Sequence, residues 1–207
     1  MSLNTRYLKE LSDLFVADLK RSDYYRRLPN DQQRELDERL ANEASEGLFP
    51  LLPGADEEEL RRLSKAIDED LHVQVPEAVI DILRQVDGFA ENGVSLFGVD
   101  GAIRDDQFDS GPGLLAENLV NWSGFPETVQ KYLFVGDSDL WHFAVELATG
   151  HPVALHKATL KQAHCFSTVE EMVNDMMQQA LGDFADETED PENEPGNHTS
   201  GFHFSWN

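Results

Sequence analysis

A chain of 207 residues, 40% of them apolar, can bury a core as one domain with additions or as two small domains, without disulfides or metals. Its 40 acidic residues against 16 basic ones give a formal charge of −24, which argues against binding to nucleic acid or anionic lipid and leaves two interpretations open, a basic protein partner or simple solubility. The single cysteine, Cys165, excludes an internal disulfide and a metal site built on paired cysteines, and predicts a cytoplasmic protein.

Neither a signal peptide nor a membrane-spanning segment is predicted. Residues 1–13 alternate polar and apolar positions and lack a basic start followed by an unbroken apolar block. No stretch reaches the roughly 18 consecutive apolar residues that a membrane-spanning helix needs. We therefore expect a protein that does not bind membranes.

Two amphipathic helices are predicted at the start of the chain. The first runs from about Thr5 to Ser22, where apolar residues recur every three or four positions. Asn30 and Gln33 have the spacing of a capping box and predict a second helix that extends towards Gly47. The connector 48–54 then predicts a subdomain boundary, because its prolines cannot continue a helix.

Two further helices follow this connector. Asp56 precedes three glutamates, which suits the N-cap and positively polarised first turn of a third helix. Pro76 stands where a fourth helix tolerates proline, and Gly88 can adopt the left-handed conformation that ends it.

Short strands are predicted in the second half of the chain. One runs from Val94 to Val99 and ends in Asp100-Gly101. After a further strand at 132–135, residues 141–147 alternate, which predicts one buried and one polar face. A turn at 148–151 leads to a returning strand, so the sheet is expected to be antiparallel.

The irregular stretch 100–131 is a candidate functional region, because long stretches without periodicity in compact domains are often functional. A short helix is predicted within it around Leu114–Trp122. Charged loops beside an aromatic side chain suit protein contacts, although a tryptophan is more often a core residue and loop aspartates are more often solvated. The predicted partner-binding residues are Asp105, Asp106, Asp109, Trp122, Asp137 and Asp139.

The end of the chain combines a helix with an acidic tail. Ser167 and Glu170 predict a capped final helix that ends near Gly182. Residues 183–207 are acidic and contain prolines, which is typical of a solvated tail that builds no core. Three aromatic residues alternate near its end, a pattern that suits an added edge strand or a docking motif: Phe202, Phe204 and Trp206.

No catalytic residue, metal site or cofactor is predicted. Four histidines between residues 142 and 164 could ligate a metal, but the alternation of a hairpin scatters them, and we expect them on a solvated sheet face. Asp137-Ser138-Asp139 is too short for a calcium loop and predicts a tight turn. Cys165 would point away from His164, which favours a buried structural cysteine over a nucleophile. A metal-dependent hydrolase is kept only as the weakest alternative.

An ordered series of short motifs runs through the chain from the fourth helix onwards. It comprises a helix from Pro76 to Asp87-Gly88, Leu96-Phe97-Gly98, Glu117-Asn118 with Trp122, Phe134-Val135-Gly136-Asp137, Trp141-His142-Phe143, Thr149-Gly150 with Val153, and Phe166 to Met172. Over about residues 71–181 this order resembles the SUKH superfamily, which includes the yeast cell-wall assembly regulator and many bacterial immunity proteins.

The resemblance implies an α+β domain with a central antiparallel sheet, flanking helices and a role in protein binding. Bacterial members are commonly antidotes that block a secreted toxin, often a nuclease or deaminase. An acidic antidote would attract such a basic toxin domain by electrostatic steering. The alternative that remains is a regulatory scaffold in cell-envelope or signalling networks.

Three segments are therefore predicted. Residues 1–54 form an N-terminal helical extension, residues 55–182 form the SUKH-like α+β domain, and residues 183–207 form the acidic tail with its aromatic end. The expected function is that of an immunity protein that binds a basic toxin domain and has no enzymatic activity.

Overall fold

An antiparallel sheet of six strands forms the centre of the fold in the computed structural model, which describes residues 2–104 and 111–182. The fold is α+β, as predicted. The strands are neighbours in the sheet in the same order as in the chain. Their bounds are β1 Phe89–Glu91, β2 Val94–Leu96, β3 Tyr132–Asp137, β4 Trp141–Glu146, β5 Pro152–His156 and β6 Gln162–Cys165.

Helices precede the sheet, interrupt it and follow it. Within the described residues they are α1 Thr5–Arg21, α2 Asp23–Arg27, α3 Asn30–Ser45, α4 Glu57–Leu71, α5 Glu77–Leu83, α6 Gly101–Arg104, α7 Leu114–Gly124 and α8 Val169–Ala180, with a 3₁₀ helix at Pro126–Thr128. None of these helices is long and apolar enough to cross a membrane.

The helix ends follow the predicted caps only in part. The Asp56 carboxylate accepts a hydrogen bond from Glu59 N, and the Glu59 carboxylate accepts one from Asp56 N, so the capping box of α4 is complete. The predicted box at Asn30 is wrong, because Pro29 is the N-cap of α3 and Gln33 donates instead to carbonyl groups near the end of α2. In α8 the N-cap is Thr168, one residue later than predicted.

Both faces of the central strands are buried. Consecutive residues of β4, from Phe143 to Val145, are fully buried, and consecutive side chains of a strand point to opposite faces. The predicted polar face of β4 is therefore wrong for His142 and Ala144. Alternation within one strand does not indicate whether another part of the chain covers the second face of the sheet.

One hydrophobic core joins the N-terminal helix to the sheet. Leu8 and Leu11 of α1 belong to the same buried cluster as Phe143 of β4 and Met172 of α8, and α1 lies against α8. Ser12 of α1 also donates a hydrogen bond to the carbonyl group of Pro50, in the connector before α4. The first helix is thus packed against the later part of the chain.

The two edge strands, β1 and β6, are not predicted from the sequence. Each is only three or four residues long, and β6 is exposed along its whole length, so neither has an apolar alternation. Cys165 lies in β6 and is exposed, and the prediction of a buried structural cysteine is therefore wrong. Its position on an edge strand, with no element covering it among the described residues, explains the difference.

Candidate functional site

A groove of about 680 Å³ lies between the sheet and α8, and its floor is aromatic. Trp141 and Phe143 of β4 and Phe166, which follows β6, contribute side chains to it. Phe143 pairs with Ala154, and Ala154 pairs with His164, so these residues line up across β4, β5 and β6. We call this site the aromatic groove.

Two hairpin turns close one end of the aromatic groove. Asp139 and Leu140 come from the β3–β4 turn, and Leu140 is 58% exposed. Gly93 of the β1–β2 turn faces Asp139 so closely that a Cβ atom there would lie 3.2 Å from Asp139 Oδ1. The apolar side chain of Leu140 therefore stands open to solvent at the mouth of the groove.

The C-terminal half of α8 also lines the groove, beside the β1–β2 turn, whose Asn92 Nδ2 donates a hydrogen bond of 2.6 Å to the carbonyl group of Ala180. The helix contributes Asp175, Gln178 and Gln179, and the Asp175 carboxylate accepts a hydrogen bond of 2.7 Å from Gln179 Nε2. The lining thus carries two carboxylates, those of Asp139 and Asp175, and it includes no Lys or Arg among the described residues. Such a surface favours a cationic or neutral ligand over an anion.

Apart from the aromatic groove, the structure contains a polar cluster around the end of β3 and the start of β4. Asp137 accepts a hydrogen bond of 2.6 Å from Lys157 Nζ, and its other carboxylate oxygen lies 3.0 Å from His142 Nδ1. This contact does not have the geometry of a hydrogen bond. Within the described residues, Asp137 Oδ1 and both ring nitrogens of His142 are therefore without a hydrogen-bond partner. Nearby, burial and the negative charges of Asp137 and Asp100 raise the pKa of Glu117.

His142 contradicts the expectation that the histidines lie on a solvated face. Only 8% of its side chain is exposed, and its ring packs edge-on against Phe125 and Phe134, at centroid distances of 5.7 and 5.2 Å. His151 and His164 are exposed, as expected. Within residues 2–104 and 111–182, no group of three or more His, Cys, Asp or Glu side chains is placed to hold a metal ion.

Trp122 lies in the core and not on an accessible surface. It is 7% exposed, and its indole Nε1 donates a hydrogen bond of 2.9 Å to the carbonyl group of Tyr132. Its neighbour on the same helix, Asn118, bonds to the backbone of Phe134. Trp122 therefore attaches α7 to β3 and has little surface to offer a partner.

Asp100 and Arg104, which precede positions 105–110, are both held by polar contacts. Asp100 accepts hydrogen bonds from Leu115 N and Ala116 N, at 2.9 and 2.8 Å, and so caps α7. Arg104 forms ion pairs with buried Asp87 and, at 3.2 Å, with Glu59. Three aspartates predicted as binding residues lie outside the described residues: Asp105, Asp106 and Asp109.

The structure therefore separates the predicted site residues. Asp139 lines the aromatic groove, Asp137 lies next to it in the polar cluster, and Trp122 lies in the core. The groove residues that sequence reasoning missed come from several elements: the β1–β2 and β3–β4 turns, strands β4 to β6, the phenylalanine after β6, and α8. The exposed Leu140 directly after the predicted turn was the only local signal, because an apolar residue in a tight turn is unusual.

Comparison with known proteins gives no assignment. No family model matches the chain, and no curated protein matches it. The resemblance to the SUKH superfamily therefore rests on the order of its motifs.

Proposed function

We propose that this protein is a binding module whose aromatic groove accepts a basic segment of another protein. The observation that carries the proposal is the combination of aromatic side chains with the two carboxylates of Asp139 and Asp175 in one groove that has no Lys or Arg among its described lining residues. The stem of a Lys or Arg side chain can pack on the floor while its charged end meets Asp139 or Asp175. A cation over the partly exposed indole of Trp141 would add a cation–π interaction.

The charge of the chain supports a basic partner. A formal charge of −24 attracts a positively charged protein over distances up to the Debye length, about 8 Å at physiological salt, and raises its association rate. Of the three aromatic residues of the floor, only Trp141 is partly exposed, and it can serve as an anchor of the kind that dominates binding energy at protein interfaces, whereas Phe143 and Phe166 are buried. Steering by charge and anchoring by an aromatic side chain are thus both available at one site.

Within this class we propose an immunity protein that neutralises a bacterial toxin. The support is the motif order of residues 71–181 together with the acidic surface, since a toxin that cleaves or modifies nucleic acid needs a basic surface for its substrate. An antidote that occupies this surface acts by binding alone. No catalytic role is assigned to the polar cluster around Asp137.

The first test is capture of partners from the source organism, with the intact protein as bait, at low and at high salt. A basic toxin domain whose activity the protein inhibits, and whose capture weakens with salt, is the expected result. Capture of envelope or signalling proteins without inhibition of a toxin would instead favour a regulatory scaffold.

The second test assigns the surface, with the captured domain in purified form. Neutralising the groove with Asp139→Asn and Asp175→Asn should slow association and reduce its dependence on salt. The control removes the same charge elsewhere, with Glu46→Gln in the residue after α3 and Asp70→Asn in α4. Equal effects of the two pairs would place the binding site outside the groove.

A further inference from the structure

The outer edge of β6 is open in the described part of the chain. β6 is the last strand of the sheet, it pairs only with β5, and all four of its residues are exposed. Backbone N–H and C=O groups along such an edge can pair with one more extended segment. His164 of β6 also lines the aromatic groove, so a segment beside β6 would have its side chains next to the groove.

The chain leaves the described structure at the wall of the same groove. Gln178 and Gln179 of α8 line the groove, and the described residues end at Gly182, three positions later. Whatever follows Gly182 therefore starts within a few residues of the aromatic floor.

The sequence beyond Gly182 contains a segment that suits this groove. Phe202, Phe204 and Trp206 alternate, and the segment 202–206 contains no Asp, Glu, Lys or Arg. In an extended conformation the three aromatic side chains share one face. A segment without formal charge is not repelled by Asp139 and Asp175, whereas the seven acidic residues of 183–201 are.

The length of the connecting stretch allows this contact. Residues 183–201 separate Gly182 from Phe202, and 19 residues of a coil span about 22–26 Å on average. Gln179 near the end of α8 and His164 of β6 line the same groove, so the stretch has only the width of this groove to cross.

We propose that the segment Phe202–Trp206 docks in an extended conformation along the open edge of β6, with its three aromatic side chains in the aromatic groove. This inference concerns the same groove as the proposed function but does not depend on the identity of any partner. In the free protein the segment 202–206 then occupies the groove. A partner must then displace the segment, which lowers its apparent affinity by the fraction of molecules in which the groove is open.

The only cysteine of the chain reports on this contact. Ala154 pairs with His164 and Val153 with Cys165, and neighbouring side chains of a strand point to opposite faces. Since His164 faces the groove, Cys165 lies on the other face of β6 and is exposed. Ser205 would lie on that same face when the three aromatic side chains enter the groove.

The experiment uses the full chain with Ser205→Cys and measures formation of the intramolecular disulfide with Cys165 in a glutathione buffer. We expect an effective thiol concentration at least about tenfold above that of Thr188→Cys, which places the second thiol in the acidic stretch. This control is conservative, because Thr188 is closer to the end of α8. A bis-maleimide with a flexible spacer tests the same pairs where the register separates the thiols too far for a disulfide.

Two further results decide the proposal. Adding Phe202→Ser and Phe204→Ser to the Ser205→Cys chain should lower its effective concentration to that of the control. An effective concentration no higher for Ser205→Cys than for Thr188→Cys overturns the proposal, and so does a disulfide that forms mainly between two molecules. This experiment needs only the purified protein. A negative result here therefore does not contradict the proposed partner binding, and a negative result in the partner tests does not contradict the docking of the segment.

Discussion

Asn118 of α7 bonds to the backbone of Phe134 in β3 as a neighbouring strand would. Its Oδ1 accepts from Phe134 N at 2.8 Å, and its Nδ2 donates to Phe134 O at 2.7 Å. β2 pairs with β3 only at Gly136 and Asp137, so the beginning of that strand edge has no strand beside it. The amide of Asn118 therefore satisfies buried backbone groups at the edge of a strand.

Asn118→Ala should destabilise the protein by about 2–4 kcal/mol, since it leaves a buried N–H and a buried C=O group without partners and each costs about 1–3 kcal/mol. Urea unfolding measures the loss. Asn42→Ala makes the same change at an exposed position of α3 and should stay within about 0.5 kcal/mol. A loss no larger than that of the control would mean that water replaces the Asn118 amide.

Trp122→Phe should lower stability by about 1–2 kcal/mol, because it removes the hydrogen bond to Tyr132 O and keeps most of the apolar contacts. The affinity of the folded protein for its partner should not change, since Trp122 is buried. Trp141→Ala is the comparison, and it should weaken partner binding by about 2 kcal/mol as an aromatic anchor of the groove. Calorimetric titration of both variants distinguishes a core tryptophan from a binding one.

Glu117→Gln should stabilise the protein at pH 7. Burial and the charges of Asp137 and Asp100 raise the pKa of Glu117, so the folded state binds its proton more tightly than the unfolded chain does. Its ionisation then destabilises the fold as pH rises from the ordinary glutamate value of about 4.3 through the raised pKa.

The gain in stability from Glu117→Gln should therefore disappear in acid, below the ordinary glutamate pKa. Urea unfolding across this pH range measures it, and Glu127→Gln corrects for the loss of one negative charge at an exposed position. A gain that persists unchanged in acid would contradict ionisation as its cause.

Gly136→Ala should destabilise the contact between β3 and α8. A Cβ atom at Gly136 would lie 2.2 Å from Met176 Cε and 2.6 Å from the carbonyl oxygen of Ser95. The methionine can move, but the carbonyl group belongs to β2 and moves only with its strand, so we expect a loss of about 1–3 kcal/mol. At Gly124 no heavy atom lies within 4 Å of such a Cβ atom. A thermal melt of Gly124→Ala should therefore show no loss, and equal melting temperatures would refute the close contact.

Asp56→Ala removes the side-chain acceptor of the capping box and should destabilise α4 by about 0.5–2 kcal/mol. The matched control is Asp70→Ala near the other end of the same helix, where a negative charge opposes the helix dipole and its removal is neutral or slightly stabilising. Denaturant unfolding of both variants gives the difference. Similar losses at the two positions would show that the cap contributes nothing.

Features that depend on nearby residues were predictable. The apolar stripes of α1, α4 and α8 and the cap at Asp56 follow from helical spacing and from hydrogen bonds across three positions. The β4–β5 hairpin likewise follows from the turn at Gly150, whose φ of 75° is in the left-handed region. In each case the determining atoms lie within one turn of helix or hairpin.

The candidate site was predictable only at its turn. Asp139 was expected from Asp137-Ser138-Asp139, but the aromatic floor depends on the register that aligns Phe143 with Ala154 and His164. No local pattern contains that register, because it is set by strands that pair across many residues. The wall from α8 is added by packing of a helix that follows the sheet in sequence.

By itself the sequence determined the net charge, the amphipathic helices and the antiparallel hairpin, since these depend on residue type and on spacing over a few positions. Tertiary structure alone decided that His142 is buried, that Cys165 is exposed and that Trp122 belongs to the core. Burial depends on what covers a side chain, and the elements that cover His142 and Trp122 come from distant parts of the chain, whereas no described element covers Cys165 on β6.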